Sequence, residues 1–374
     1  MTRTIAIALS GGIDSLVSAY LLKKQGYKVL GLHFLTGYEP SFHHGPKPYD
    51  APDPEQIEAV ASSTHRQLST ITGQIDIPIE VIDLHRDFYE NVIAYFTWSY
   101  AHGLTPNPCL VCNPAIKFGR LLEYALSAGA SHLATGHYAR LKTAESGRIM
   151  LYKGADPVKD QSYFLGRLTP RQLEHAVFPL GEFKKTDTIA LAREAGLSPV
   201  VNRESQDICF ISGLSYHEFL AQQLGTAPLP GPIFDTRGNH IGRHSGLHRF
   251  TIGQRRGINC PGPAPYYVIR IDHERNRLVV GFKADLFIDN CDVSEINWII
   301  PPPQSTTDIM VRVRYRHLPV PARLKPVSSD MAHIVFTHPQ AAITPGQGAV
   351  FYRGEQLLGA GWIVRSDEQQ PHTG

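Results

Sequence analysis

The sequence has no apolar run near the roughly 18 residues that a membrane-spanning helix needs, and its first apolar stretch is too short for a secretory signal. The reading is therefore a cytoplasmic chain with no membrane partner. Cysteine is scarce: Cys109, Cys112, Cys209, Cys260 and Cys291 are the five in 374 residues. An odd set in a reducing compartment argues against a disulfide framework and directs attention to reactive or metal-binding thiols. Charge of one sign is also missing. A net charge of +2 leaves the question of polyanionic partners open, because a basic face can sit behind an acidic one. Apolar and charged fractions of 42% and 19% exclude a disordered chain, and the length allows two or three domains.

Two familiar phosphate motifs are absent as well, the Gly-Lys-Ser/Thr loop and the three-glycine dinucleotide fingerprint. In their place stands Ala8-Leu9-Ser10-Gly11-Gly12-Ile13-Asp14-Ser15, between a strand-like run, Ile5 to Leu9, and a helix-like run, Leu16 to Lys24. Paired glycines let the chain curl so that successive N–H groups share one concavity, and Ser10 and Ser15 add hydroxyls beside a helix N-terminus. That is a phosphate cradle. A glycine-rich turn without a ligand is the plain alternative.

Beyond it, apolar patterning predicts strands at Lys28 to Phe34, Ile79 to Leu84 and His132 to Thr135, with helices at 54–72, Asp87 to Tyr100 and Ile116 to Ser127. The alternation implies a doubly wound parallel sheet with helices on both faces, an α/β fold whose strand ends, at Phe34 and Gly136, point to the ligand side. His43 and His44 lie in a Pro- and Gly-rich stretch without acidic or thiol neighbours and read as loop. Three prolines between Thr105 and Pro114 predict an exposed loop carrying Cys109 and Cys112. Lys159, Asp160 and Gln161 can recognise a polar ligand or cap a short helix, and Cys209, among apolar neighbours, reads as a small core residue. Glycines and prolines between 225 and 232 mark a boundary, after which short alternating strands predict a small central domain and a C-terminal antiparallel β-barrel. The proposed limits are 1–210, 211–290 and 291–374. Gly253-Gln-Arg-Arg-Gly257 can lie along a phosphate backbone or be a solvated turn. In Met310 to Arg316, alternation puts Arg312, Arg314 and Arg316 on one strand face, a basic stripe that can reach phosphates or simply be a solvated face.

The SGGxDS loop resembles that of the PP-loop ATP pyrophosphatases. Taken in order with Pro106-Asn-Pro-Cys-Leu-Val-Cys-Asn113, Lys159-Asp-Gln-Ser-Tyr-Phe-Leu165, Ile208-Cys-Phe-Ile211, Tyr266-Tyr-Val268 and Ala342-Ile-Thr-Pro-Gly-Gln347, it is similar to the bacterial tRNA-specific 2-thiouridylases, the MnmA family. The resemblance implies an N-terminal PP-loop domain, a central tRNA-contacting domain and a barrel. It also implies a sulfurtransferase that uses ATP and Mg²⁺ to adenylate the C2 oxygen of the wobble uridine and then replaces it with sulfur. By matching residues, Ala8, Leu9, Ser10, Gly11, Gly12, Ile13, Asp14 and Ser15 would hold ATP, with Asp14 meeting Mg²⁺ through pyrophosphate, and Phe34 and Gly136 the adenosine. Cys112 matches the nucleophile and Cys209 the persulfide carrier. Asn107, Pro108 and Cys109 would surround the target base, while Lys159, Asp160, Gln161, Arg314 and Tyr315 would contact tRNA.

Many family members carry Asp where this chain has Cys109, so the acid/base role assigned there is replaced by a third thiol. Two sulfur routes stay open on these residues. One passes through a Cys209 persulfide and Cys112; the other uses Cys109, Cys112 and Cys209 as ligands of a [4Fe–4S] cluster whose free iron holds sulfide. The sulfur source is then a donor protein or inorganic sulfide. No residue of 36–72 carries over. Two other readings share part of the pattern: a PP-loop amidating synthetase, which leaves the thiols unexplained, and a catalytically idle RNA-binding protein, which leaves the complete ATP loop unexplained.

Overall fold

The computed structural model describes residues 3–42, 53–200, 208–211, 213–225 and 229–364; His43 and His44 lie outside them. Five parallel strands form the first sheet, in the order Ile79–Asp83, Lys28–Leu35, Thr4–Ala8, His132–Ala134 and Ala176–Val177. Alternate residues of the central strand enter different cores. Ile5 and Ile7 pack with Leu16, Val17, Leu68 and Ile71 of one helical layer, whereas Ala6 joins Phe88, Phe96, Ile116 and Leu121 of the other. A sheet so covered on both faces is the doubly wound arrangement expected. The helix Ile13–Lys24 starts beyond the central strand. The helix Pro54–Ile75 starts at Asp53, whose side chain accepts from Glu55 N, and ends on Asp76 at φ 48°.

Two helical runs widen locally. Tyr89–Ile93 and Asn113–Leu121 are π-helical. The second explains a departure from expectation, since the proline-rich stretch is not all loop: a short helix, Pro108–Cys112, runs straight into the π turn. Pro108 occupies the first turn, where no intrahelical donor is lost, and the wider π turn accommodates Pro114, which has no N–H to give. The displaced carbonyls are met from outside, because Gln172 Nε2 donates to Pro114 O at 2.8 Å and Phe118 O at 3.0 Å.

The helix Tyr216–Leu224 opens with a reciprocal Ser215/Glu218 cap and stops at Gly225, φ 62°. Its Phe219 and Leu220 are buried in the first domain's core. A four-stranded central sheet follows, ordered Tyr267–Asp272, Arg277–Gly281, Gly231–Asp235 and His240–His244. Six antiparallel strands then close on themselves: Phe287–Trp298, Ala332–Ala341, Val320–Pro326, Thr307–Arg312, Gly348–Arg353 and Gln356–Val364, the last returning to the first. Closure removes exposed edges. The hairpin Ala139–Thr143 with Ile149–Lys153 belongs to the first domain in sequence, but it meets this barrel through Gln356 and Tyr152. Cys291 is buried in the barrel wall, where burial pushes its thiol up to about 12.

The basic stripe is not one strand face. Thr307–Arg312 ends at Arg312, whose guanidinium turns inward to Asp160 Oδ2 at 3.1 Å, and both side chains are nearly out of solvent. Arg314 is half-buried and only Arg316 is exposed.

Candidate active site

The loop after Thr4–Ala8 and the turn after His132–Ala134 converge at one end of the parallel sheet. Gly11 has φ 80°, and Gly12 precedes the helix without a side-chain cap, so the first helical N–H groups stay available to an anion. Ser10 N–H donates to Ser15 Oγ at 3.3 Å, and Ser15 Oγ donates to Gly12 O at 2.9 Å, bonds that hold the loop curled. A side chain at Gly136 would reach 3.0 Å from Asp14 C and Ser15 N, so the second strand end abuts the cradle. Phe34 stands partly buried at the end of the neighbouring strand.

Asp14 is wired rather than free. Lys185 Nζ approaches its Oδ1 at 2.6 Å and Tyr138 OH donates to the same oxygen at 2.8 Å, with Thr188 Oγ1 at 3.0 Å from that hydroxyl. Lys185 lies at the start of the helix Lys185–Glu194, and Asp156 Oδ2 accepts from its N–H at 2.9 Å. A cation beside an anion cradle can answer phosphate charge directly. Sequence patterning leaves Lys185 unnoticed and gives Tyr138 only a place in the turn after Gly136; the Lys184-Lys185 pair opening a helix is the available signal.

The thiol segment is clamped by the barrel. Gln347 Nε2 donates to Thr105 O at 3.0 Å and Pro106 O at 3.1 Å, and Thr105 N donates to Pro345 O at 3.0 Å. Leu110 is fully buried against Gly348, where a Cβ would stand 2.2 Å from Leu110 Cδ1. Asn107 and Pro108 are buried, and Asn107 Nδ2 is taken by Tyr163 OH at 3.4 Å. Cys109 is the exposed member of that trio. Asn113, after Cys112, donates to Phe164 O at 2.9 Å, while its buried Oδ1 has no protein partner among the described residues.

Cys209 corrects the expectation of a core residue, because it is exposed. Its neighbour Phe210 is the buried one, stacked edge-on against Phe96 at 5.2 Å and Phe88 at 5.8 Å. Burying that ring contributes about 2 kcal/mol and fixes the turn that presents Cys209 outward. Cys109 and Cys209 can be touched by solvent, yet protein crowds both. Burial pushes the Cys109 thiol up to about 11 and the Cys112 thiol up to about 12, and raises Cys209 too. Charge on Cys209 would raise both Cys109 and Cys112 further, so the three share one electrostatic neighbourhood. Lys117, carried by the π turn, opposes the shift at all three. It also helps burial hold His137 neutral, and His137 follows Gly136 at the cradle. The charge of Lys117 is therefore felt by the thiols and by His137 alike. Glu39 is another residue that patterning missed: it acts on both Cys209 and His33, and its carboxylate caps the Thr36–Gly37 turn.

Two cofactor expectations meet different fates. Mg²⁺ suits a loop with one carboxylate, because that ion keeps waters and phosphate oxygens as its main ligands. The [4Fe–4S] alternative fits poorly, since among the described residues no three His, Cys, Asp or Glu side chains gather to hold a metal.

Family profiles cover most of the chain. They are described as a tRNA methyl transferase HUP domain over residues 3–213, a tRNA methyl transferase PRC-barrel domain over 217–282 and an aminomethyltransferase beta-barrel domain over 288–363. The tRNA-specific 2-thiouridylase MnmA of Desulfosudis oleivorans is 47% identical over 97% of this chain and 95% of its own. Its namesakes in Geotalea uraniireducens and Magnetococcus marinus are 39% and 41% identical, over 96% and 97% of this chain and 95% and 99% of theirs. The chain belongs to the tRNA-specific 2-thiouridylase family.

Within that family frame, the residues expected to meet tRNA divide by surroundings. Lys159 and Gln161 are partly exposed, although Gln161 Oε1 already accepts from Tyr138 N at 3.0 Å. Asp160 is buried: its Oδ1 accepts from Gly154 N and Ser162 N, and its Oδ2 meets Arg312. Both of its oxygens are thus engaged within the fold. Tyr315 lies on the Phe164 ring at 4.2 Å, and Arg314 Nη2 donates to Thr344 Oγ1 at 3.4 Å. Among the described residues no helix is long and apolar enough to cross a membrane.

Proposed function

We propose that this protein is an ATP-dependent tRNA-uridine 2-sulfurtransferase working through two thiols. What supports the reading is an anion cradle at one sheet end and three thiols that all feel Lys117, whose charge also reaches His137 beside Gly136. Ser10, Gly11, Gly12, Ser15 and the helix N-terminus would hold the β- and γ-phosphates, with Mg²⁺ sharing their charge near Asp14. Lys185 would pass from Asp14 to the departing pyrophosphate. Phe34 and Gly136 would flank the adenosine.

The chemistry balances as follows. The uridine C2 oxygen attacks the α-phosphate and pyrophosphate leaves. The terminal sulfur of a Cys209 persulfide attacks C2, and AMP departs with the oxygen. The Cys112 thiolate then attacks Cys209 Sγ, releasing the thiocarbonyl and leaving a Cys112–Cys209 disulfide. Either a thiol reductant supplies two electrons to reset the pair and a persulfide-bearing donor protein then reloads Cys209, or inorganic sulfide attacks Cys209 Sγ of the disulfide, expelling the Cys112 thiolate and leaving the Cys209 persulfide directly. Cys109 would line the base pocket.

The test is tRNA-dependent release of AMP and pyrophosphate with 2-thiouridine detected by mass spectrometry. Hydrolysis of ATP indifferent to tRNA would sink the reading. The two-thiol route is tested separately by anaerobic reconstitution: the expected protein holds no stoichiometric iron, and Cys109→Ala keeps thiolating. Iron and acid-labile sulfide that disappear in Cys109→Ala would overturn that route while leaving the overall reaction in place.

A further inference from the structure

Asn113 takes no part in the scheme above, although it follows Cys112 directly and its side chain is almost wholly out of solvent, 2% exposed. Its amide is oriented by its surroundings. Phe164 O lies 2.9 Å from Nδ2, and a carbonyl can only accept, so the NH2 end faces Phe164 and the oxygen faces away from it. Turning the amide over would set two oxygens against each other. Phe164 is itself held, its ring centroid 4.2 Å from that of Tyr315. The Oδ1 of Asn113 is thereby fixed as an acceptor, buried and without a hydrogen-bond partner among the described residues. A buried acceptor left in that state is costly to keep, and its persistence calls for a donor from outside the chain.

The backbone relates this oxygen to the thiol segment. Asn113 N donates to Cys109 O, so the two residues stand one helical turn apart and share a face of the helix Pro108–Cys112. Helical side chains lean toward the N-terminus, which inclines Asn113 toward Cys109. Cys109 is the exposed member of that face and Asn113 the buried one. Both ends of the segment are fastened to adjacent residues of another element, since Asn107 Nδ2 donates to Tyr163 OH at 3.4 Å and Asn113 Nδ2 to Phe164 O. The amide is therefore held in a set place relative to Cys109, which lines the base pocket in the reading above.

The chemistry of the target says what the donor is. Uracil and cytosine carry the same C2 carbonyl, and they differ at N3 and C4: N3 bears a hydrogen in uracil and a lone pair in cytosine. An enzyme that adenylates a C2 oxygen has to read N3 or C4 to spare cytidine, and N3 is the ring atom bonded to C2. We propose that Asn113 Oδ1 accepts the N3–H of the target uridine in the complex that precedes adenylation, and so selects uridine over cytidine. The inference rests on the tRNA-uridine reading above. A fixed acceptor pairs with uracil and opposes the N3 lone pair of cytosine, which leaves two acceptors facing each other in a buried place. Because the oxygen lies below the surface, the base meets it only on moving inward past Cys109, away from water that would compete for the N3–H.

The experiment follows tRNA-dependent pyrophosphate release by the full-length protein, in single turnovers at subsaturating tRNA. Two transcripts are compared that differ only at the target nucleotide, uridine in one and cytidine in the other. The parent is expected to favour uridine by about 10³-fold. Asn113→Leu, close in volume and without an acceptor, is expected to lose about 10²-fold on uridine and little on cytidine, so that the preference falls to about tenfold. Asn113→Ala is expected to show the same collapse and serves where the leucine variant does not fold. A residue that only shaped the thiol helix would lower both rates together, and variants that keep the parent's preference would overturn the proposal. A parent that adenylates the cytidine transcript as readily as the uridine one would overturn it without any variant. A parent that releases no pyrophosphate with the uridine transcript would instead sink the functional reading itself.

Discussion

The two ends of this site are prepared in opposite ways. At the nucleotide end, charge is already present and paired: Lys185 and Tyr138 converge on Asp14, and an incoming polyphosphate has only to exchange partners with them. At the thiol end, charge is withheld, because burial keeps Cys109, Cys112 and Cys209 protonated despite Lys117. A binding loop benefits from preorganised charge, whereas a thiolate formed too early would be alkylated or oxidised in the cell. The difference implies that sulfur chemistry waits for the substrate while ATP binding does not.

Cutting the site between its ends gives the largest expected effect. Cys112→Ser should lower 2-thiouridine formation by roughly 10³-fold, since a hydroxyl cannot resolve the mixed disulfide, yet a single turnover of tRNA-dependent AMP release should persist. Equal loss of both signals would show that the ends are not separable. Lys185→Met should do the reverse, lowering AMP formation by about 10²-fold while leaving Cys112 as reactive toward alkylating agents as in the parent. An unchanged rate of AMP release would remove Lys185 from the phosphate-handling role.

The same contrast separates two carboxylates that the sequence presented as ligand contacts. Asp160 and Arg312 are buried partners joining the 156–162 loop to the barrel, whereas the Asp14 side chain keeps about a third of its surface exposed. Asp160→Asn leaves a buried guanidinium without its counter-charge and should destabilise the fold by roughly 3 kcal/mol. Asp14→Asn, at a partly solvated pair, should cost less than about 1 kcal/mol. Denaturant melts of the two variants decide the matter, and equal losses would erase the distinction.

How far each end was legible follows from how local its determinants are. Ser10 to Ser15 announce the cradle because six adjacent residues set both the turn and the helix start. Gly136 and Phe34 follow from the rule that parallel strands end on the ligand side. The thiol end is assembled from distant pieces. Nothing near Lys117 says that Pro114 sits in a widened turn whose carbonyls Gln172 satisfies from 54 and 58 residues away. Cys209 looked like core because its neighbours are apolar, and of these Phe210 is buried while Ile208 and Ile211 are only partly so; Phe210 takes the core position and the thiol is left outward. Arg312 was misjudged for a related reason, since alternation in a strand gives the face of a residue but not what waits on that face.

The smallest effect is also the most direct reading of the withheld charge. Alkylation by iodoacetamide proceeds through the thiolate, so its rate at a given pH follows the fraction ionised. An unperturbed cysteine, with a pKa near 8.5, approaches its plateau by about pH 9.5. Cys112, pushed up to about 12, should instead react about tenfold faster for each pH unit from 7 to 10 without levelling off, followed by peptide mass spectrometry to separate it from Cys260. The sign is fixed by the direction of the shift: a raised thiol pKa means less thiolate at neutral pH and a rate still climbing above it. Lys117 favours the thiolate, so Lys117→Ala should slow labelling of Cys112 severalfold at every pH in that range. A plateau near pH 9, or labelling indifferent to Lys117, would mean that the thiol is ionised as readily as a free cysteine. The two ends of the site would then differ in composition but not in how their charge is held.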